Sequence, residues 1–252
     1  MSKPGPGRCV HCGKHFDQRN WDHVFPKSWY PDNTPADIAK WQIPTCVSCN
    51  REHGKVEQNL MVRMAMCIDP RTPGLSKIIK KALRSMDPSA AKNQKDKRMR
   101  KALLEKIQKE VSRGDQVTSN SLYPGFHGIK GLELSKQFAI NILLDEIQML
   151  GRKIVKGLFY VHDKKYIEGT FRIDVYALDE CNAVKIKDIL SDYGKVYACG
   201  PGIVIERAVA IEDGISSIFR ITIWGKWILY ASVVDPKYEL QNAFASSSGW
   251  NV

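Results

Sequence analysis

The spacing of hydrophobic and polar positions changes along the chain. Between about residues 50 and 155, apolar residues recur at helical spacing, which predicts α-helices. Beyond that region apolar and polar positions alternate, which predicts β-strands. The first 60 residues or so keep neither pattern over any length and are rich in Cys, His, Trp and Pro. We therefore predict an α+β protein with a small irregular segment at its N-terminus.

The two patterns predict five helices and six strands. The helices are expected at residues 50–67, 76–84, 90–112, 133–155 and 182–193. The strands are expected at residues 157–162, 170–177, 195–199, 203–210, 217–224 and 227–234, mostly in an antiparallel sheet. A tight turn joins the last two strands, and its Gly225 can adopt positive φ. The tail from Asn242 to Val252 is expected to have little ordered structure.

Composition and charge narrow the choice of partner. The chain has 252 residues, a net charge of +11 and a pI of about 9.3, which favours an acidic partner. Nucleic acid is the first candidate and an anionic membrane surface the second. No apolar run approaches the roughly 18 residues that span a bilayer, and the N-terminus lacks the apolar core of a signal peptide. We expect a cytoplasmic protein that binds nucleic acid and no membrane.

Four of the seven cysteines form two Cys-x-x-Cys pairs, Cys9 with Cys12 and Cys46 with Cys49. Each such pair supplies two thiolates from one tight turn, and structural zinc takes four in a tetrahedron. In a reducing compartment metal ligation is a better interpretation than disulfides. We predict a structural Zn²⁺ that adds folding energy to this short segment; free or buried thiols are the alternative. The nearby His11 and His15 could compete as zinc ligands, but such histidines are more often exposed loop residues or phosphate contacts, and we interpret both in that way.

Three polar residues beside the cysteine pairs suggest phosphodiester hydrolysis. That reaction needs a base to activate water and a cation to stabilise charge on the phosphate. His23 suits the first task, since a histidine titrates near neutral pH. Asp22 and Asn50 offer the oxygen ligands that Mg²⁺ prefers. His53 shares a helix face with Asn50 and is a further candidate ligand of metal or phosphate.

Neighbouring residues on an extended strand point to opposite faces. Asp22 and His23 can therefore converge on one phosphate only if a bend or the following helix brings them together. Separately, each member of the trio has a simpler interpretation. An Asp-His pair is common in surface turns, and Asn50 could cap a helix. The combination of this pair with the flanking cysteines favours the catalytic interpretation.

Three motifs carry a resemblance to a known family: Cys9-x-x-Cys12, Asp22-His23-Val24-Phe25-Pro26-Lys27-Ser28 and Cys46-x-x-Cys49-Asn50. Together they resemble the HNH (ββα-metal) endonucleases, and most closely the four-cysteine members such as junction resolvases of the phage endonuclease VII type. The resemblance covers only about the first 60 residues. It implies a ββα unit with His23 as general base and Asp22 and Asn50 as ligands of a catalytic Mg²⁺ or Mn²⁺. It also implies a structural zinc on the four cysteines.

Most of the positive charge lies in the middle of the chain. Residues 76–113 contain 13 Lys or Arg against 4 Asp or Glu, a surplus of +9. Such a cluster can contact the phosphate backbone without reading sequence, although charge runs are often only a solvated helix face. The candidate contacts are Lys77, Lys80, Lys81, Arg84, Lys97, Arg98, Arg100 and Lys101.

These observations predict three parts: a zinc-bound HNH unit at residues 1–68, a basic helical linker at 69–131, and an α+β domain at 132–252. The last part carries no motif, and we expect it to select substrate, to bind a regulatory protein or to form a homodimer. The leading hypothesis is a metal-dependent endonuclease acting on DNA, with RNA left open, in a restriction, phage or defence setting. The alternatives are a non-catalytic zinc-ribbon protein that binds nucleic acid and a nuclease effector activated by a partner.

Overall fold

The computed structural model describes residues 2–31, 33–69, 71–72, 74–118, 121–124, 131–200 and 202–236. The tail at 242–252, predicted to have little ordered structure, lies outside these residues. The described part is α+β, as predicted, with five α-helices and mostly antiparallel strands. None of its helices is both long and apolar enough to cross a membrane.

Two short hairpins and a helix make up the N-terminal region. Strands β1 (Gly7–Arg8) and β2 (His15–Phe16) pair with each other, as do β3 (Arg19–His23) and β4 (Gln42–Cys46). Helix α1 (Val47–Met66) follows β4 directly. It begins three residues earlier than predicted, because the Cys46 sulfur caps it by accepting a hydrogen bond from the Cys49 amide at 3.4 Å.

The two basic helices are α2 (Ser76–Met86) and α3 (Gln94–Glu110). The buried residues of α2, Ile78, Ala82 and Met86, recur every fourth position. The prediction of one helix over 90–112 was too long at both ends. The Asn93 side chain caps α3 by accepting from the amide of Asp96, and the chain then becomes strand β5 (Val111–Arg113), paired with β6 (Phe138–Ile140).

Helix α4 (Leu144–Leu158) corrects two predictions. The helix expected over 133–155 begins later, because Leu134–Lys136 forms a 3₁₀ turn before β6. The strand expected at 157–162 was wrong: α4 continues into a π-helical turn at Phe159–Asp163. Its buried residues keep helical spacing and cover the core: Ile147, Leu150, Ile154 and Leu158.

A five-stranded antiparallel sheet forms the C-terminal region, in the order β7-β11-β10-β9-β8. Its strands are β7 (Arg172–Tyr176), β8 (Lys195–Gly200), β9 (Ile203–Val209), β10 (Ser217–Ile223) and β11 (Trp227–Val234). The five corresponding predictions were confirmed to within two residues at each end. The β10–β11 turn was also confirmed, with φ of 54° at Trp224 and 65° at Gly225.

One hydrophobic core joins the N-terminal region to the sheet. It holds Val24 and Trp29 from the first region together with Phe219 and Leu229 from one face of the sheet. The Trp224 indole donates to the carbonyl of Trp29 at 2.8 Å. Helix α5 (Val184–Tyr193) covers the opposite face through a second, smaller cluster. The cysteine-rich region thus buries its apolar side chains against later parts of the chain; the predicted boundaries at 68 and 131 stay predictions.

Candidate metal centre and polar cavity

The two cysteine pairs come together in space. The sulfurs of Cys9, Cys12, Cys46 and Cys49 all lie within 4.8 Å of one another, a cluster that can hold a metal ion. The first turn closes through the amide of Gly13, which donates to the Cys9 carbonyl at 2.9 Å and has a φ of 72°. Burial and the neighbouring sulfurs raise the pKa of the Cys49 thiol. The sulfurs therefore resist ionising together, and a bound cation would remove that resistance.

The predicted trio lines a single cavity of about 560 Å³. Asp22 and His23 belong to the end of β3, and Asn50 to the first turn of α1. The cavity lining consists of Trp21, Asp22, His23, Pro26, Lys27, Ser28, Asn50 and Glu57. Both neighbouring residues line this cavity, with Asp22 buried and His23 half-buried, although they are paired in register with successive residues of β4.

His23 is held as a neutral base. Its Nε2 atom lies 3.2 Å from the amide nitrogen of Gln42, its partner in the β3–β4 register, and this contact fixes the orientation of the ring. Burial and the positive charge of Lys27 lower the pKa of His23 below its ordinary value. An amide nitrogen only donates, so Nε2 accepts from Gln42 and the proton of the neutral ring lies on Nδ1. A neutral histidine is the state that accepts a proton from water, and it would do so at Nε2 once water takes the place of Gln42.

Asp22 is buried and accepts two polar contacts. Its Oδ2 atom lies 3.1 Å from His11 Nε2, and its Oδ1 atom accepts from Lys153 Nζ at 2.9 Å. Burial alone would raise the pKa of Asp22, but the His11 contact and the Lys153 charge outweigh it and lower the pKa. The carboxylate therefore stays ionised, as a cation ligand must.

His11, Glu57 and Lys153 were not predicted as part of the site. The interpretation of His11 as an exposed loop residue was wrong, since it is only 7% exposed and its pKa is lowered by burial. Glu57 follows Asn50 by two helical turns on α1, a spacing that could have identified it. Lys153 is separated from Asp22 by 131 residues and has no local signal in the sequence.

His53 lies in a second recess, of about 310 Å³, rather than in the cavity lined by Asn50. Its ring centroid is 4.2 Å from that of His11. Burial and the neighbouring His11 lower the pKa of His53 to about 3. His53 is therefore neutral at physiological pH, and its nearest described ring partner is another histidine.

The candidate nucleic-acid contacts differ in exposure. Six of them are exposed on α2 and α3: Lys77, Lys80, Arg84, Lys97, Arg98 and Lys101. Lys81 is half-buried and donates to the carbonyl of Tyr30 at 3.4 Å. Arg100 is also half-buried, and its guanidinium bonds the Asp96 carboxylate one turn earlier at 2.9 Å. The exposed six form the larger part of the predicted basic surface.

The arrangement combines a neutral imidazole, two carboxylates and an amide around one cavity. A four-sulfur cluster lies beside it, with two sulfurs in the turn between β1 and β2 and two where β4 passes into α1. The set around the cavity can bind a hard cation through oxygen and can accept a proton from a bound water. Comparisons with protein-family models, with curated proteins and with solved structures found no match for this chain.

Proposed function

We propose that this protein is a metal-dependent endonuclease of the HNH type that hydrolyses phosphodiester bonds in DNA. The observation that carries the proposal is the convergence of Asp22, His23 and Asn50 on one cavity. These three residues come from a strand pair and the helix that follows it, the order of elements that the family resemblance implies. Fold alone would not support a function, so the argument rests on the site.

The chain's own residues suit two tasks of the reaction. His23, which is neutral, would take a proton from the attacking water at Nε2, where the water would replace the Gln42 amide. Asp22 and Asn50 would hold Mg²⁺ or Mn²⁺, because each oxygen of Asp22 keeps a free lone pair beside its present contact. Bound there, the cation supplies charge stabilisation to the phosphate and to the leaving oxygen.

The four cysteines would hold a structural zinc. Tetrahedral Zn–S bonds of about 2.3 Å place the sulfurs roughly 3.8 Å apart, which is compatible with their observed proximity. The Cys46 sulfur caps the helix on which Asn50 lies, so the zinc would tie the Cys9–Cys12 turn to the end of β4 and to that helix start. The zinc therefore has a structural role, and the chemistry is assigned to the cavity.

The exposed lysines and arginines of α2 and α3 would contact the phosphate backbone. They carry no sequence preference by themselves. Their role in the proposal is to hold nucleic acid near the cavity, while cleavage depends on the trio.

The test compares His23→Ala with His15→Ala, an exposed histidine on β2 that lies outside the cavity. We expect His23→Ala to slow Mg²⁺-dependent cleavage of supercoiled DNA by about 10²–10⁴-fold, with zinc content and circular dichroism unchanged. His15→Ala should cut like the wild type. Undiminished cleavage by His23→Ala would make the assignment wrong.

The same assay separates the alternatives. Salt-sensitive binding without any divalent-dependent cleavage by the wild type would favour the zinc-ribbon binding protein. Cleavage that begins only when a partner is added would favour the effector. Parallel reactions with duplex, single-stranded and branched DNA and with RNA would define the substrate.

A further inference from the structure

A lysine ammonium lies between the two carboxylates of the cavity. Lys153 belongs to α4, and its side chain is fully buried. Its Nζ atom donates to Asp22 Oδ1 at 2.9 Å and also to a carboxylate oxygen of Glu57. Both carboxylates line the cavity, whereas Lys153 lines the second recess. The ammonium therefore contacts both carboxylates without being part of the cavity lining.

A buried lysine is energetically unfavourable at this position unless its charge is compensated. Removing an ammonium from water costs several kcal/mol, and here two carboxylates compensate the charge. The neighbouring Leu150 and Ile154 are buried in the core, whereas the recess at Lys153 is lined mainly by polar and charged residues. The charge therefore has its role at Asp22 and Glu57.

The charges of the site give that role. Asp22 and Glu57 together contribute two negative charges when ionised, and Lys153 contributes one positive charge. A divalent cation added to these three groups leaves a net positive site that attracts a phosphodiester. Without Lys153, the same cation would only neutralise the two carboxylates.

We propose that Lys153 is a positioning residue that sets the charge of the cation site, so that cation and phosphodiester bind cooperatively. This inference rests on the proposed function, in which Asp22 and Asn50 hold the catalytic cation. It adds Glu57 as a third oxygen ligand of that cation. A cation alone would bind weakly beside the ammonium, and a nucleic-acid phosphate would strengthen its binding.

A charge-setting role and a purely structural role of Lys153 predict opposite changes in Mn²⁺ affinity. Lys153→Met removes a positive charge next to the carboxylates, so the protein should bind Mn²⁺ more tightly, by at least about tenfold. Loss of mere structural support would weaken Mn²⁺ binding instead. Because coupling between two ligands is reciprocal, the same variant should lose most of the gain in Mn²⁺ affinity that nucleic acid provides.

The experiment titrates Mn²⁺ into the full zinc-loaded chain and follows free Mn²⁺ by electron paramagnetic resonance, with and without a duplex oligonucleotide. A His23→Ala background slows cleavage by about 10²–10⁴-fold, which keeps the oligonucleotide intact during the titration. Mn²⁺ does not displace zinc from thiolates, since it binds such ligands more weakly. Lys156→Met is the matched control, because Lys156 lies one turn further along α4 and donates to the carbonyl of His11 rather than to a carboxylate.

We expect tighter Mn²⁺ binding and reduced coupling in Lys153→Met, and neither change in Lys156→Met. Equal Mn²⁺ affinity and equal coupling in Lys153→Met and its parent would overturn the proposal. If Lys153→Met does not fold, Glu57→Gln serves in its place, since an amide oxygen can still accept from the ammonium. Its Mn²⁺ affinity should fall at least about tenfold, and an unchanged affinity would also overturn the proposal.

The outcome separates this inference from the proposed function. Lys153-dependent Mn²⁺ binding in a chain that cuts no nucleic acid would contradict the nuclease and leave the charge-setting role. Cleavage that requires His23, together with Mn²⁺ affinity that does not change in Lys153→Met, would support the nuclease and contradict the charge-setting role. Absence of Mn²⁺ binding would contradict both.

Discussion

Replacing Gly157 by alanine tests how closely α4 approaches the segment after β3. A Cβ at this position would lie 2.7 Å from both γ-methyl groups of Val24, whereas carbon atoms make their best contact at about 3.5–4.0 Å. Val24 is fully buried and β-branched, so its methyl groups cannot easily rotate away. Overpacking of this kind costs about 1–3 kcal/mol, and alanine gains about 1 kcal/mol over glycine in a helix. We expect the free energy of unfolding to fall by up to about 2 kcal/mol, the overpacking cost less the helix-propensity gain.

Urea denaturation followed by circular dichroism measures this change. Gly54→Ala is the matched control: Gly54 is also helical, and a Cβ there would meet nothing within 4 Å. That variant should gain up to about 1 kcal/mol. Val24→Ala alone should lose about 2 kcal/mol. Combined with Gly157→Ala it makes room for the new methyl group, so the two losses should be less than additive.

A gain in stability for Gly157→Ala equal to that of Gly54→Ala would refute the reasoning. It would mean that α4 does not pack against Val24. Since the same helix carries Lys153, the contact between Lys153 and Asp22 would then be in doubt as well.

Three further predictions concern the metal, the base and the basic helices. Cys49→Ser should release the bound zinc, measured by mass spectrometry of the metal, and lower the free energy of unfolding; full zinc retention would contradict the four-sulfur site. In the pH profile of kcat/KM, the fall toward acidic pH should have its midpoint below about pH 6.5, because burial and Lys27 lower the pKa of His23. Lys27→Gln should move that midpoint to higher pH. An unchanged midpoint would exclude the effect of Lys27. Replacing both Lys97 and Lys101 by Gln should reduce the slope of log K against log salt for duplex DNA by about 2, whereas Lys109→Gln on the same helix, outside the predicted set, should leave it unchanged.

The strands near the C-terminus could be predicted because their signal is local. Residues of β10 and β11 alternate between the two faces of the sheet, and both faces are covered, by α4 and by α5. Alternation of this kind fixes the type of element, and the turn at Gly225 fixes its end. The prediction at 227–234 matched β11 in full.

The failure at residues 157–162 has a physical cause. Leu158, Phe159, Tyr160 and Val161 form a short apolar run, and such a run does not distinguish a buried strand from a buried helix. In the fold this run continues α4, whose Gly157 packs closely against Val24, and such contacts join residues far apart in the sequence. No window of neighbouring residues contains that information.

Residues of the candidate site could be predicted where their signal is local in the sequence, and not where it depends on the tertiary fold. The cysteine pairs and the residues next to them could be predicted, because the spacing within a short motif is visible in the sequence. Glu57 could have been predicted, since it lies on the same face of α1 as Asn50. Lys153 could not, because on α4 it resembles one more solvent-facing lysine until the fold places it against Asp22.

The position of Lys153 in the chain has a consequence for biosynthesis. The ribosome releases the four cysteines and the trio long before it releases α4. During that interval the carboxylates of Asp22 and Glu57 lack the Lys153 ammonium. If Lys153 sets the charge of the site as proposed, a cation captured at that stage would neutralise the two carboxylates without making the site attractive to phosphate. Full affinity for nucleic acid would then arise only after α4 has docked, which would delay cleavage until that helix is made.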